Sequence, residues 1–387
     1  MTISLTNAFT KAVKVKYPII QAPCAGHTGV DLVAAVSNAG GLGSLAAGMM
    51  PPNDMRTAIR AIKQATTQPF AVNLFCRMER PPTQDEMQRD YPACDKVLDR
   101  IRAQLGITRP TTFTPRSPPL DQQIAVIIEE QVPVVSYTFG YLPEDEQKRL
   151  EDAGVYLIGT ATTVKEALVL AGLLEGSSVK KADAVVAQGL EAGGHRGSFL
   201  KEDANDENQR QMPTEELVPK VVKALREHQK DRYVPVLAAG GLSTGTDIAK
   251  ALHKWQADGA AAGTLFMLTT ESTTPAAHRK VLLESKAAPR ITRGLSGRWA
   301  RGFPNAFMDA IDDEVPDSDI PSYDIHSART KDIVAHAGKN SNPEYMLLWS
   351  GSRASDAAKY SNGGAVSAGD MVNKIVKDIV NASPSSL

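Results

Sequence analysis

The chain has 387 residues, 42% of them hydrophobic and 22% charged, with a formal net charge of -1. That is enough apolar material for one large core or two smaller ones, and the balance of charge gives no electrostatic reason to expect nucleic acid or another polyanion as partner. Cys24, Cys76 and Cys94 are too few and too irregularly spaced for a disulfide framework or a zinc site. With no secretory signal and no bilayer-length apolar run, they predict a soluble, cytoplasmic protein without metal or membrane contact.

In chain order, short apolar runs bounded by Gly and Pro recur at 17–22, 42–46, 70–75, 132–137, 155–160, 182–187, 234–238 and 259–265, each followed by a stretch with helical spacing. Runs such as VPVLAAG and ADAVVAQG are apolar throughout rather than alternating, as expected of parallel strands covered on both faces. Thr163 and Glu166 suit a capping box, and Ser243 or Thr244 can cap the helix whose inner stripe holds Ile248, Leu252 and Trp255. Eight such units predict an α/β fold, a (β/α)8 TIM barrel, with active-site residues on the loops after the strands. Two of those loops are long, 78–120 after strand three and 191–213 after strand six, the latter with a charged stretch at 203–208 read as solvated. Residues 1–273 then form the barrel, and 274–387 a C-terminal extension covering it, with 385–387 a frayed tail; a homo-oligomer is left open.

The sharpest segment is AQGLEAGGHRGSF, 187–199, which places His195 just beyond a strand end. Gly193 and Gly194, with Gly189 and Gly197, let backbone approach a ligand closely, and an imidazole titrating near neutrality can take and return a proton. His195 is therefore the candidate general base. His27, after strand one, also faces the predicted mouth, whereas His228, His253 and His278 fall in helical stretches. Gly240 and Gly241 after strand seven, with Gly263 and Thr264 after strand eight, form a phosphate cradle in which backbone N–H groups and a helix amino end face the anion. Asn73 and Gln188, carboxamides at other strand ends, suit the edge of a planar heterocycle. No dinucleotide fingerprint, P-loop, HExxH or GxSxG competes.

YPIIQAPCAG, FAVNLF, AQGLEAGGHRGSF, VPVLAAGG, GAAAGTLFM, RGLSGRWARGF and LLWSG, in this order, resemble the nitronate monooxygenases over about residues 15–352. The resemblance implies a barrel that binds FMN noncovalently and, with O2 and without nicotinamide, oxidises small nitro compounds as alkyl nitronates such as propionate 3-nitronate, giving a carbonyl compound and nitrite. It puts His195 on the catalytic histidine and Ala22, Asn73, Gln188, Gly193, Gly241, Gly263 and Thr264 around the flavin. The chain reads Pro23-Cys24 where the family usually reads Pro-Met, so packing under the ring differs there. EAGGH is shared with related flavin barrels, which leaves an NAD(P)H-dependent reductase of quinones or enoyl thioesters as the alternative.

Overall fold

The structure, a computed structural model, describes residues 5–78, 80–115, 117–174, 180–200, 212–228 and 232–382. The stretches 203–208 and 385–387 lie outside the described residues. Eight parallel strands, β1 (Ile19–Gln21), β2 (Gly43–Ala46), β3 (Phe70–Phe75), β4 (Val134–Thr138), β5 (Tyr156–Ala161), β6 (Ala184–Gln188), β8 (Val236–Ala239) and β9 (Gly259–Ala262), run in the order β1-β9-β8-β6-β5-β4-β3-β2. A parallel bridge between Ile20 and Leu42, carried by Gln21 N–H on Leu42 O at 3.0 Å, joins the two ends of that order. The result is a (β/α)8 TIM barrel with its helices outside. The eighth predicted strand is cut short, because the chain turns at Gly263 into the helix Thr264–Met267.

Period two divides the strand residues between two cores. Ile20, Leu42, Ala71, Val134, Ile158, Ala184, Leu237 and Ala261 cluster inside the ring, while their neighbours Ile19, Val72, Val135, Leu157, Val185, Val236 and Ala260 pack outward under the helices. The interior cluster is closed from below by Phe9 and Val13 of the helix Ala8–Val13, whose Asn7 cap binds both ways with Thr10. Toward the carboxyl ends the next interior residues are Ala22, Ser44, Asn73, Ser136, Thr160, Ala239 and Gly263, one step up their strands, and Gln188, which follows Val186 on β6. Aliphatic filling thus stops midway and a floor of small and polar residues begins, which is where a barrel ceases to be core and becomes site.

The first detour is helical rather than loose, with helices Gln84–Gln88 and Pro92–Leu105. Cys94, Val97, Leu98 and Ile101 of the longer one pack on Phe307, Met308, Ile311, Val315, Ile320 and Ile333 from the C-terminal segment. Fully buried Arg329 ties the two pieces by an ion pair to Asp95 at 2.5 Å, its guanidinium 5.1 Å from the Tyr91 ring and 4.6 Å from Phe113. Further on, Met371, Val372, Ile375 and Ile379 of the last helix, Ala368–Asn381, share the outer core with Ile248, Ala249 and Leu32 of the barrel. No helix among the described residues is long and apolar enough to cross a membrane, and no group of three His, Cys, Asp or Glu side chains there could hold a metal ion.

Candidate active site

His195 is held in place by its neighbours along the chain. The Gln188 amide, at the end of β6, donates to His195 O (3.1 Å) and accepts from Gly197 N–H (2.8 Å). Buried Arg196 donates to the carbonyls of Gln188 and Gly189; burial pushes its guanidinium down to about 10. Gly194 and His195 form a two-residue strand, β7, antiparallel to Ala300–Gly302 (β11), which pairs in turn with Arg290–Thr292 (β10). At the far end Glu166, buried at 0% exposure, accepts from Phe199 N–H (2.5 Å), Leu200 N–H (3.1 Å), Thr162 N–H (2.7 Å) and Thr162 Oγ1 (2.9 Å). The expected capping box is therefore only half formed: Thr163 accepts from Glu166 N–H, but the carboxylate goes to the His195 loop. Burial raises its proton affinity, while the three amides and the hydroxyl oppose that.

The imidazole Nε2 lies 2.9 Å from Ser296 Oγ, and that hydroxyl reaches Arg298 O at 3.2 Å. With its proton on that carbonyl, the serine accepts Nε2–H and the ring lone pair sits on Nδ1. Three rings wall the imidazole, with centroids at 5.8 Å (Phe139), 5.1 Å (Tyr323) and 5.3 Å (Trp349). Phe139 has φ +75°, a left-handed conformation that costs a bulky residue about 1–3 kcal/mol. Arg298 lies 4.0 Å over the Phe139 ring. Desolvation first, and the Arg298 charge second, push the His195 pKa down to about 3, so the ring is neutral across the working range.

On the other side of the mouth the glycines converge. Gly240 (φ +114°) and Gly241 (φ +69°) turn the chain after β8, and Gly263 follows β9 beside Ala22 and Cys24, whose Sγ lies 3.3 Å from where a Cβ at Gly263 would be. A Cβ at Gly193 would lie 2.4 Å from Gly351 N, and Gly351 N–H donates to Thr264 Oγ1 at 2.9 Å. The first amides of the helix Thr264–Met267 stand outside its own hydrogen-bond ladder. Together these give a backbone-lined cradle at the ends of neighbouring strands, chemically suited to a phosphate. Desolvation pushes the partly buried Cys24 thiol up to about 12, so it stays protonated at neutral pH.

A family model described as nitronate monooxygenase matches residues 6–378. The chain belongs to the nitronate monooxygenase family. A probable nitronate monooxygenase of Staphylococcus aureus strain MSSA476 is 34% identical over 379 residues, covering 97% of this chain and 96% of the relative. Its counterpart in strain MRSA252 is 35% identical over 349 residues, covering 89% and 91%. Among solved structures, the nitroalkane oxidase of Streptomyces ansochromogenes superposes with a TM-score of 0.78 at 31% identity, over 96% of this chain and 98% of its own. FabK from Thermotoga maritima, at 24% identity and TM-score 0.69 over 97% and 96%, shares the fold.

Within this family member the residues singled out from sequence fall into groups. His195, Gln188, Gly193 and Gly194 share the loop after β6, while Ala22, Cys24, Gly240, Gly241, Gly263 and Thr264 stand at strand ends on the cradle side, with Pro23 between Ala22 and Cys24. Asn73 is buried on the polar floor, bonded to Ser136 Oγ at 3.0 Å. His27 turns inward instead of facing the mouth: it is buried against His278 with ring centroids 4.9 Å apart and Nδ1 3.2 Å from Thr274 Oγ1. Ser296, Arg298, Tyr323 and Trp349 were missed. They lie in the segment read as mere cover, which instead supplies much of the wall around His195. The aliphatic-to-polar switch along the strand interiors was a sequence signal that could have outlined the floor. Beyond Phe139 and Tyr323 opens a cavity of about 890 Å³, bordered also by Arg77, Phe199 and Arg298.

Proposed function

We propose that this family member is an FMN-dependent enzyme that oxidises alkyl nitronates with O2 to a carbonyl compound and nitrite. The observation that carries the reading is the meeting, at one barrel mouth, of a neutral caged imidazole and a glycine-built anion cradle. Backbone at Gly193, Gly194, Gly240, Gly241, Gly263 and Thr264 would hold the phosphate. Ala22, Pro23 and Cys24 would pack beside the ring, with Asn73 toward its edge. The bound flavin would supply an electron acceptor that reacts with O2. Gln188, whose carboxamide is engaged by the His195 loop, would act by aligning that loop. The remaining work is positioning and charge. Arg298 balances the negative nitro oxygens, and His195 takes the α-proton where the substrate arrives as a nitroalkane. An imidazole held near 3 is a weak base, so a nitronate, which arrives deprotonated, is the better substrate. Residues 1–273 and 274–387 are read as one unit, since Ser296, Tyr323 and Trp349 complete the site.

The test is oxygen uptake by the yellow protein with propyl-2-nitronate in the absence of NADH, and identification of the flavin released on denaturation. A flavin bleached anaerobically by NADH but not by nitronate would replace this reading with the reductase one. His195→Asn is expected to lower nitroalkane turnover at least a hundredfold while nitronate oxidation persists; unchanged nitroalkane turnover removes His195 as base.

A further inference from the structure

We infer that the cavity beyond the His195 cage receives the far, anionic end of an extended nitronate, with Arg77 as the residue that selects it. This deepens the reading above by naming the substrate class: an apolar or aromatic body ending in a carboxylate or phosphate, longer than a three-carbon acid. The cavity and the cage share Phe139 and Tyr323, so the cavity adjoins the His195 side of the mouth at these two rings. At about 890 Å³ it is in the range that encloses ligands of many more atoms than a short nitroalkane has. Among its described lining residues are five arginines against two carboxylates, Glu86 and Asp324, so an anion is favoured there.

Two of those arginines lie closest to the cage. Arg298 sits over Phe139, and the Arg77 guanidinium sits 5.7 Å from the Tyr323 ring centre. Arg77 spends Nη1 on Asp324 Oδ1 at 2.7 Å, an oxygen that also accepts from Ser117 Oγ at 2.7 Å. Its Nε and Nη2 are buried and meet no acceptor among the described residues. These two nitrogens form one edge of the guanidinium, the fork that matches the two oxygens of a carboxylate or phosphate. Buried donors are ordinarily satisfied, and an unsatisfied pair on a side chain that lines the cavity points to an acceptor brought by the ligand. Lysine could not reproduce that fork.

The experiment compares the holoenzyme on nitronates of matched length, those of 1-nitrohexane and 6-nitrohexanoate, with that of 3-nitropropionate as the short acid. The nitronate with the terminal carboxylate is expected to exceed the carboxylate-free one in kcat/KM by about tenfold at low salt, and to exceed the short acid, the preference shrinking toward one near 1 M KCl. Arg77→Met brings the ratio of the carboxylate-bearing to the carboxylate-free nitronate to about one, and Arg77→Lys keeps part of it; the ratio, taken on one variant, cancels any general loss of folding. A readout without turnover is the melting temperature in unreactive hexanoate or hexanol: hexanoate raises it in the unsubstituted protein and not in Arg77→Met. Equal use of the two long nitronates, or an unaltered ratio and hexanoate shift in Arg77→Met, overturns the inference. If no nitronate, with or without the carboxylate, is oxidised, the proposed function has failed, while the hexanoate shift still decides the anion site.

Discussion

Glu166 offers a quantitative test of how the catalytic loop is positioned. Its carboxylate satisfies three backbone amides, at Thr162, Phe199 and Leu200, and one hydroxyl, all at a residue with 0% exposure. In Glu166→Gln the amide keeps one acceptor, which serves best on the Phe199 and Leu200 side; the Thr162 hydroxyl can turn to accept, leaving one amide unsatisfied at about 1–3 kcal/mol. In Glu166→Ala all three amides lose their acceptor, and the gross loss is several times larger. Removing a charge that burial disfavours offsets part of it, so a net loss of about 2–4 kcal/mol is expected. For a chain of this length that lowers Tm by roughly 3–5 °C. Because Phe199 and Leu200 anchor the loop four and five residues beyond His195, Glu166→Ala should also lose at least about tenfold in kcat through misplacement, with KM changing less. Hydrogen exchange at the Phe199 and Leu200 amides, measured well below the melting point, reads the anchor directly. Fast exchange in Glu166→Ala with near-native protection in Glu166→Gln is the expected pattern; native protection and native kcat in Glu166→Ala would refute the argument.

Three further outcomes follow from the same geometry. Ser296→Ala removes the hydrogen bond at 2.9 Å to His195 Nε2, and loss of about 1 kcal/mol of orientation should lower kcat for nitronates roughly fivefold; unchanged kcat in steady-state oxygen uptake would mean that the aromatic cage alone sets the ring. Gly193→Ala puts a Cβ 2.4 Å from the Gly351 nitrogen, whereas Gly194→Ala meets nothing within 4 Å and bears only the strain of φ +69°. Fluorescence titration of apoprotein with FMN should therefore show at least about tenfold weaker binding for the first and a smaller change for the second, and the reverse order would displace the cradle. Burial lowers the pKa of His27 and His326 to about 4 and of His195 and His278 to about 3. A depressed folded-state value means the folded protein binds fewer protons than the unfolded chain below the ordinary 6.5, so this stabilisation is complete above that pH and is lost as pH falls toward 3–4. Urea midpoints should be flat from about pH 8 to 7 and fall below about pH 6, and His326→Gln should make the decline shallower by about 1.4 kcal/mol per pH unit.

The barrel was legible because its causes are local and periodic. Eight apolar runs with helical stretches between them leave little else for the chain to do, and the placement of His195 beyond β6 and of glycines beyond β8 and β9 follows from the rule that barrel sites sit at strand carboxyl ends. The strands were read a few residues too long at their ends, since apolar flanks such as 263–265 continue the composition after the pairing has stopped. The direction of His27 was misjudged for a related reason: position after a strand says which end of the barrel a residue occupies, not which way its side chain turns.

What tertiary structure alone decided is the company His195 keeps. Ser296, Tyr323 and Trp349 reach it across separations of 101 residues and more, through β7, β10 and β11, strands of two or three residues each. Pairings that short carry no periodicity to announce them. The buried Arg329 and Asp95 ion pair that seats the C-terminal segment on the first detour joins residues 234 apart, with neither flank marked by pattern. Composition and spacing settle elements whose apolar faces repeat along the chain. The wall of an active site is built from single side chains on different elements, and only the packing of the barrel against its own C-terminal segment brings them together.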